Sequence, residues 1–193
     1  MVKRRLKDGL KDIYWGFYGL GLRNPALRTP PRSFLFVCKG NICRSPFAER
    51  YAMEMARRMN LRDSKFLSVG LEVSQSLPPP AEAVLAAAGL GINLEGHRSR
   101  EIRDGMLATS DLIVVMDVPQ LINLRRRYPC YEDKIFLLPL FRPRHRANGT
   151  RFSLLNIEDP YGKPVDHYRF CFTAIRHCLD VLFQQILILR EAP

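Results

Sequence analysis

A cysteine and an arginine with five residues between them stand in this 193-residue chain, within Cys38-Lys39-Gly40-Asn41-Ile42-Cys43-Arg44-Ser45-Pro46. A thiolate is a strong nucleophile, and a cysteine held at a helix N-terminus beside an arginine ionises more readily than a free thiol. Arg44 supplies a planar fork of donors matched to two oxygens of an oxyanion. Gly40 lets the backbone approach a ligand closely, and Asn41 tolerates the left-handed conformation that a tight anion loop needs. Ser45 can donate a hydroxyl hydrogen bond to the sulfur. Together these residues allow capture of an oxyanion followed by attack of sulfur on it.

The flanking residues indicate how such a loop is held. Phe34-Leu35-Phe36-Val37 is an uncharged run suited to a buried strand, and Ser45-Pro46 ahead of Phe47-Ala48-Glu49-Arg50 has the make-up of a helix start. A loop closing onto a helix N-terminus turns a row of backbone N–H groups toward one point, where the helix dipole also favours negative charge. Lys39, Gly40, Asn41, Ile42, Cys43 and Ser45 would line a ligand bound there.

Strand and helix signals alternate along the rest of the chain. They predict a helix over 46–59, a strand over 66–70, and a helix over 81–88, entered through Pro78-Pro79-Pro80 and ended by Gly89. A short helical segment follows over 101–107, then a strand over 111–116, a helix over 118–127 and a last strand over 134–138. A long loop over 139–157, with an Asn148-Gly149 turn signal, leads to a closing helix over 164–190. The apolar, β-branched run near 113–115 is the mark of a strand buried on both faces. The pattern predicts one α/β domain built on a four-stranded parallel, doubly wound sheet, with its ligand site at the carboxyl ends of the strands.

Thirty Lys and Arg residues against 19 Asp and Glu give a net charge of +11, which suits an anionic partner such as a phosphorylated protein, a membrane surface or nucleic acid. Residues 1–32 form a basic N-terminal extension in which Asp8 and Asp12 are the only acids. Within it Leu6, Leu10, Ile13, Tyr14 and Phe17 have the spacing of one helical face, followed by an extended, proline-containing connector. The aromatic and glycine-rich run over 13–22 faintly resembles a signal peptide but lacks a small-x-small cleavage site. No apolar run approaches the ~20 residues of a membrane span. The five cysteines (Cys38, Cys43, Cys130, Cys171, Cys178) are an odd number without metal-type spacing, which points to a reducing compartment.

The anion loop together with Asp159-Pro160-Tyr161 far downstream resembles the low-molecular-weight protein tyrosine phosphatases. That family's signature is Cys-x5-Arg-Ser near the N-terminus, with a distant Asp-Pro pair supplying the general acid. The resemblance covers roughly residues 33–190. It implies a flavodoxin-like sheet in the order 2-1-3-4 and hydrolysis of phosphotyrosine monoesters through a phosphocysteine. Cys38 would be the nucleophile, Arg44 the phosphate holder and Asp159 the acid, later the base for water. Tyr161 would wall the substrate slot. Ser68 and His97 would support the loop with Asn41 and Ser45, and Asp117 would fix Arg44.

Taken alone, Asp159-Pro160 reads as a turn, His97 as a solvated loop residue, and Asp117, with Pro119 close behind, equally well as a helix N-cap. The resemblance also implies a redox guard at Cys43, able to form a reversible disulfide with Cys38. Lys39 departs from the usual uncharged residue and should add positive field at the pocket mouth. The loop after Ser68 lacks the aromatic residue that some members place opposite the tyrosine wall, so the width of the slot is open.

No cofactor, metal or nucleic acid is implied. The expected partner is a phosphotyrosine-containing protein, in bacterial relatives often a tyrosine kinase of exopolysaccharide export. The expected location is the cytoplasm, at the membrane periphery if the basic arm docks on anionic lipid. Two alternatives share the loop: a thioredoxin-coupled arsenate reductase, which needs further redox cysteines near the third strand, and a catalytically silent phosphotyrosine-binding module.

Overall fold

A computed structural model describes residues 22–61, 63–142 and 154–191. The amphipathic helix expected in the basic arm and the Asn148-Gly149 turn lie outside those residues. Four strands, β1 (Ser33–Cys38), β2 (Lys65–Gly70), β3 (Leu112–Val115) and β4 (Ile135–Leu137), form one parallel sheet in the order β2-β1-β3-β4. The helices are α1 (Arg44–Arg58), α2 (Ala81–Ala88), α3 (Asp104–Ala108), α4 (Val118–Arg127) and α5 (Val165–Glu191). The doubly wound sheet expected from the alternation is therefore present, in the implied order.

Side chains alternate across each strand and feed two cores. Phe34, Phe36, Val114 and Phe136 pack under α1, α2 and α5, while Leu35, Val37, Ile113, Val115, Ile135 and Leu137 pack under α3 and α4. Both faces are covered, which is why β1 and β3 read as continuous apolar runs. On the first face Phe47 of α1 lies flat against Phe172 of α5, with ring centroids 4.2 Å apart, so the helix that follows the anion loop is fixed to the longest helix in the fold. By length and composition alone α5 is apolar enough to cross a membrane, although the sequence holds no unbroken apolar run of that length. Nine of its side chains are buried in the first core, as one broad face.

Two predicted elements differ. The segment over 101–107 is helical only from Asp104, because residues before it extend the edge of β2: Gly70 N–H donates to Arg100 O, Ile102 N–H donates to Gly70 O, and Glu101 bridges Gly70. The last strand is three residues long rather than five. Leu138 begins a 3-10 turn in which Pro139 has no N–H to offer the ladder.

Residues 22–32 pack on the domain. Leu27 contacts the first core and Leu22 the second. The Asn24 carboxamide donates to Leu137 O at 3.2 Å and accepts from Leu137 N at 2.7 Å, completing the outer edge of β4 as a strand residue would. At the other end of the sheet, Asp111 Oδ2 accepts the N–H groups of Arg32 and Ser33, both at 2.9 Å.

Candidate active site

The loop between β1 and α1 closes onto a helix start that has no side-chain cap: Cys43 occupies the N-cap position and makes no capping hydrogen bond. First-turn N–H groups of a helix need a partner, and a helix start without a side-chain cap is the arrangement that receives an anion. Asn41 adopts φ of 52°, the left-handed conformation expected of it. Gly40 is different: a Cβ there would meet only Ile42, at 3.7 Å, so nothing in the chain itself requires glycine at that position. The glycine that packing does require is Gly70, at the end of β2. A Cβ on it would lie 2.8 Å from Lys39 O and 3.0 Å from Asn41 N, so the strand backs directly onto the loop.

Cys38 is buried at the base of a cavity of about 280 Å³. Its Sγ lies 3.0 Å from Ser45 Oγ and accepts the N–H of Asn41 at 3.3 Å. Asn41, fully buried, is the hub of the loop's support. Its Nδ2 donates to Ser45 Oγ and to Ser68 Oγ, both at 2.9 Å, its Oδ1 accepts Arg100 N–H at 2.9 Å, and its carbonyl receives His97 Nε2 at 2.8 Å. Burial lowers His97 below the usual histidine range, outweighing the Asn41 hydrogen bond, and the neutral ring serves as donor to that carbonyl. His97 is thus a buried support rather than a solvated loop residue. Ser68 in turn donates to Glu49, a buried carboxylate that sequence reasoning passed over. A signal was present: Glu49 lies four residues after Ser45, on the same face of α1.

Arg44 is 2 % exposed and held from two sides. Nη1 donates to Asp117 Oδ2 at 2.8 Å and to Ile157 O at 3.1 Å; Nη2 donates to Asp159 Oδ2 at 2.7 Å. Its Nε is buried and has no partner among the described residues. A donor left without a partner in such a place costs about 1–3 kcal/mol, which an oxyanion over Cys38 would return. Asp117 fills both roles that its sequence context allowed, since Oδ1 caps α4 by accepting Gln120 N–H at 2.9 Å while Oδ2 holds Arg44.

Cys43 is buried in the same loop, and burial, followed by the charges of Cys38 and Asp159, pushes its thiol upward so that it stays protonated. Lys39 points out at the mouth and pairs with Glu72 at 3.5 Å, so the positive field expected of it is partly offset. Tyr161, Ile42, Val73 and Leu77 line the cavity as apolar walls above the sulfur. Leu77, from the connection between β2 and α2, is the wall that no aromatic residue in that loop had predicted. All thirteen residues anticipated from the sequence lie in this loop, its supports or the adjoining cavity.

The chain matches the model of the family described as "Low molecular weight phosphotyrosine protein phosphatase" over residues 33–189. It is 34% identical over 158 residues to the low molecular weight phosphotyrosine protein phosphatase of Sus scrofa, covering 77% of this chain and 94% of that one. It is 27% identical over 155 residues to the probable low molecular weight protein-tyrosine-phosphatase EpsP of Ralstonia nicotianae, covering 80% of this chain and 96% of that one. Among solved structures, the YwlE arginine phosphatase from Geobacillus stearothermophilus superposes with a TM-score of 0.69 over 84% of this chain and 99% of its own; at 24% identity, that likeness speaks for the fold alone. With the match spanning nearly all of the described domain, this chain belongs to the low molecular weight phosphotyrosine protein phosphatase family.

Proposed function

We propose that Cys38, Arg44 and Asp159 carry the phosphatase reaction of this enzyme, on phosphotyrosine in a protein, through a phosphocysteine. The observation that carries the assignment is that Cys38, Asp159 and Arg44, whose buried Nε has no partner among the described residues, line one cavity at a helix start without a side-chain cap. A phosphoryl group seated there takes loop N–H groups and the Nε–Nη2 edge of Arg44, while Asp117 keeps the other nitrogen. Sulfur attacks phosphorus as the phenolic oxygen leaves on the opposite side. Asp159 gives up Arg44 Nη2 and protonates that oxygen, then removes a proton from the water that cleaves the S–P bond. The Ser45 hydroxyl, 3.0 Å from Sγ and 3.2 Å from Val69 O, stabilises the departing thiolate by turning its hydrogen to sulfur. An aryl ring suits the apolar walls of Tyr161, Ile42 and Leu77.

Hydrolysis of p-nitrophenyl phosphate and phosphotyrosine tests these roles. Cys38→Ser should abolish turnover, and Asp159→Asn should lower kcat about 10²–10⁴-fold on phosphotyrosine, less on p-nitrophenyl phosphate, whose leaving group needs little help. Activity surviving in Cys38→Ser rules the mechanism out. The arsenate reductase alternative is disfavoured on this geometry, because the residue at the end of the third strand is Asp117, committed to Arg44.

A finer reading places the enzyme in the cytoplasm, with a tyrosine kinase as substrate and the basic arm on an anionic membrane. Liposome flotation of the full chain and of a chain lacking residues 1–21 checks the last part: the full chain should float with anionic vesicles, and equal, negligible binding by both forms excludes docking.

A further inference from the structure

Leu77 belongs to no helix or strand, yet it forms a wall of the cavity. What fixes it is Ser99. The Ser99 N–H donates to Leu77 O at 2.9 Å, and the Ser99 hydroxyl accepts Leu77 N–H at 2.9 Å and donates to Gln75 O at 3.1 Å. Ser99 is 4 % exposed, so water does not compete for these bonds. Directly after Leu77, Pro78, Pro79 and Pro80 have restricted φ, and Pro80 occupies the N-cap position of α2. Leu77 therefore sits between a rigid run on one side and a three-bond clamp on the other, while remaining 41 % exposed and lining the cavity.

We propose that Ser99 is a positioning residue that sets the width of the slot through Leu77, and with it the preference for aryl over alkyl phosphomonoesters. The inference rests on the phosphatase reading above. Ser99 itself borders the cavity, but its single hydroxyl hydrogen is spent on Gln75 O, so Ser99 acts through the loop it clamps. A substrate ring lying against Leu77 keeps that contact in ground and transition states alike, so loosening the wall raises KM and leaves kcat nearly unchanged.

Steady-state kinetics on p-nitrophenyl phosphate and phosphotyrosine, with inorganic phosphate as a competitive inhibitor that reaches only the anion loop, test this. Ser99→Ala should raise KM for both aryl substrates about fivefold, the effect of one lost hydrogen bond, with kcat and the phosphate inhibition constant within about twofold of wild type. Ser99→Thr, which keeps the hydroxyl, should recover most of the loss. Leu77→Ala should raise KM in the same selective way, and the double variant should be no worse than Leu77→Ala alone, because the two residues act in series.

A parallel rise in KM and in the phosphate inhibition constant would assign Ser99 to general support of the loop and overturn the proposal, as would additive effects in the double variant or an unchanged KM. If Ser99→Ala does not fold, Leu77→Ala carries the test, and absence of the KM split there overturns it. Wild-type enzyme with no turnover of either aryl phosphate overturns the phosphatase reading itself; turnover without the split overturns only the role of Ser99.

Discussion

The anion loop and the strap over residues 22–33 are built with the same device, side chains bonded to backbone across long sequence distances, and they end differently. In the strap the bonds close on themselves. Asn24 satisfies both backbone groups of Leu137, and Asp111 takes two N–H groups at once. In the loop, support converges on Asn41, but other groups stay open: the first turn of α1 has no side-chain cap and Arg44 Nε has no partner among the described residues. A region that satisfies its polar groups contributes stability; a region that holds them fixed and unsatisfied is prepared for a ligand.

Breaking the loop side should give the largest effect. Gly70→Ala pushes a methyl against Lys39 O and Asn41 N, both backbone atoms, so the loop has to move. A displacement of that order should cost about 10²-fold in kcat/KM, measured on p-nitrophenyl phosphate. Wild-type kinetics in Gly70→Ala would mean that the loop is not set by its contact with β2.

The second prediction separates the two cysteines of the loop. Peroxide converts a thiolate to sulfenic acid, which condenses with a neighbouring thiol to give a disulfide and water. Cys38 and the protonated Cys43 are such a pair, so dithiothreitol should restore peroxide-treated wild type and fail to restore Cys43→Ser. Permanent inactivation of both forms removes the redox guard.

On the strap side, Asn24→Ala should leave kcat/KM unchanged and cost about 1–3 kcal/mol of unfolding free energy in urea, the penalty for two backbone groups left without partners. A loss of activity there would couple regions that the comparison treats as separate.

How much of this could be read in advance depended on sequence distance. Cys38, Arg44, Ser45 and the strand and helix that hold them are contiguous, and the residue types alone dictate anion chemistry. Asp159 needed the family pattern, because Asp-Pro by itself describes any turn. Gly70, Ser99 and Asn24 act through partners 22 to 113 residues away, and nothing in their local sequence marks them; Glu49, 19 residues from Ser68, is marked only by its helical spacing from Ser45. The late start of α3 has the same cause, since Gly70 claims the backbone groups before it, whereas the end of β4 is set locally by Pro139.

The strap also bears on where this domain starts. The family match begins at residue 33, yet Leu22, Asn24 and Leu27 already belong to the fold. A chain trimmed to the matched region would leave the N–H and C=O of Leu137 on an open strand edge, a template on which a second molecule could pair. Self-association and precipitation after such trimming would then be a property of the cut, and not of the enzyme.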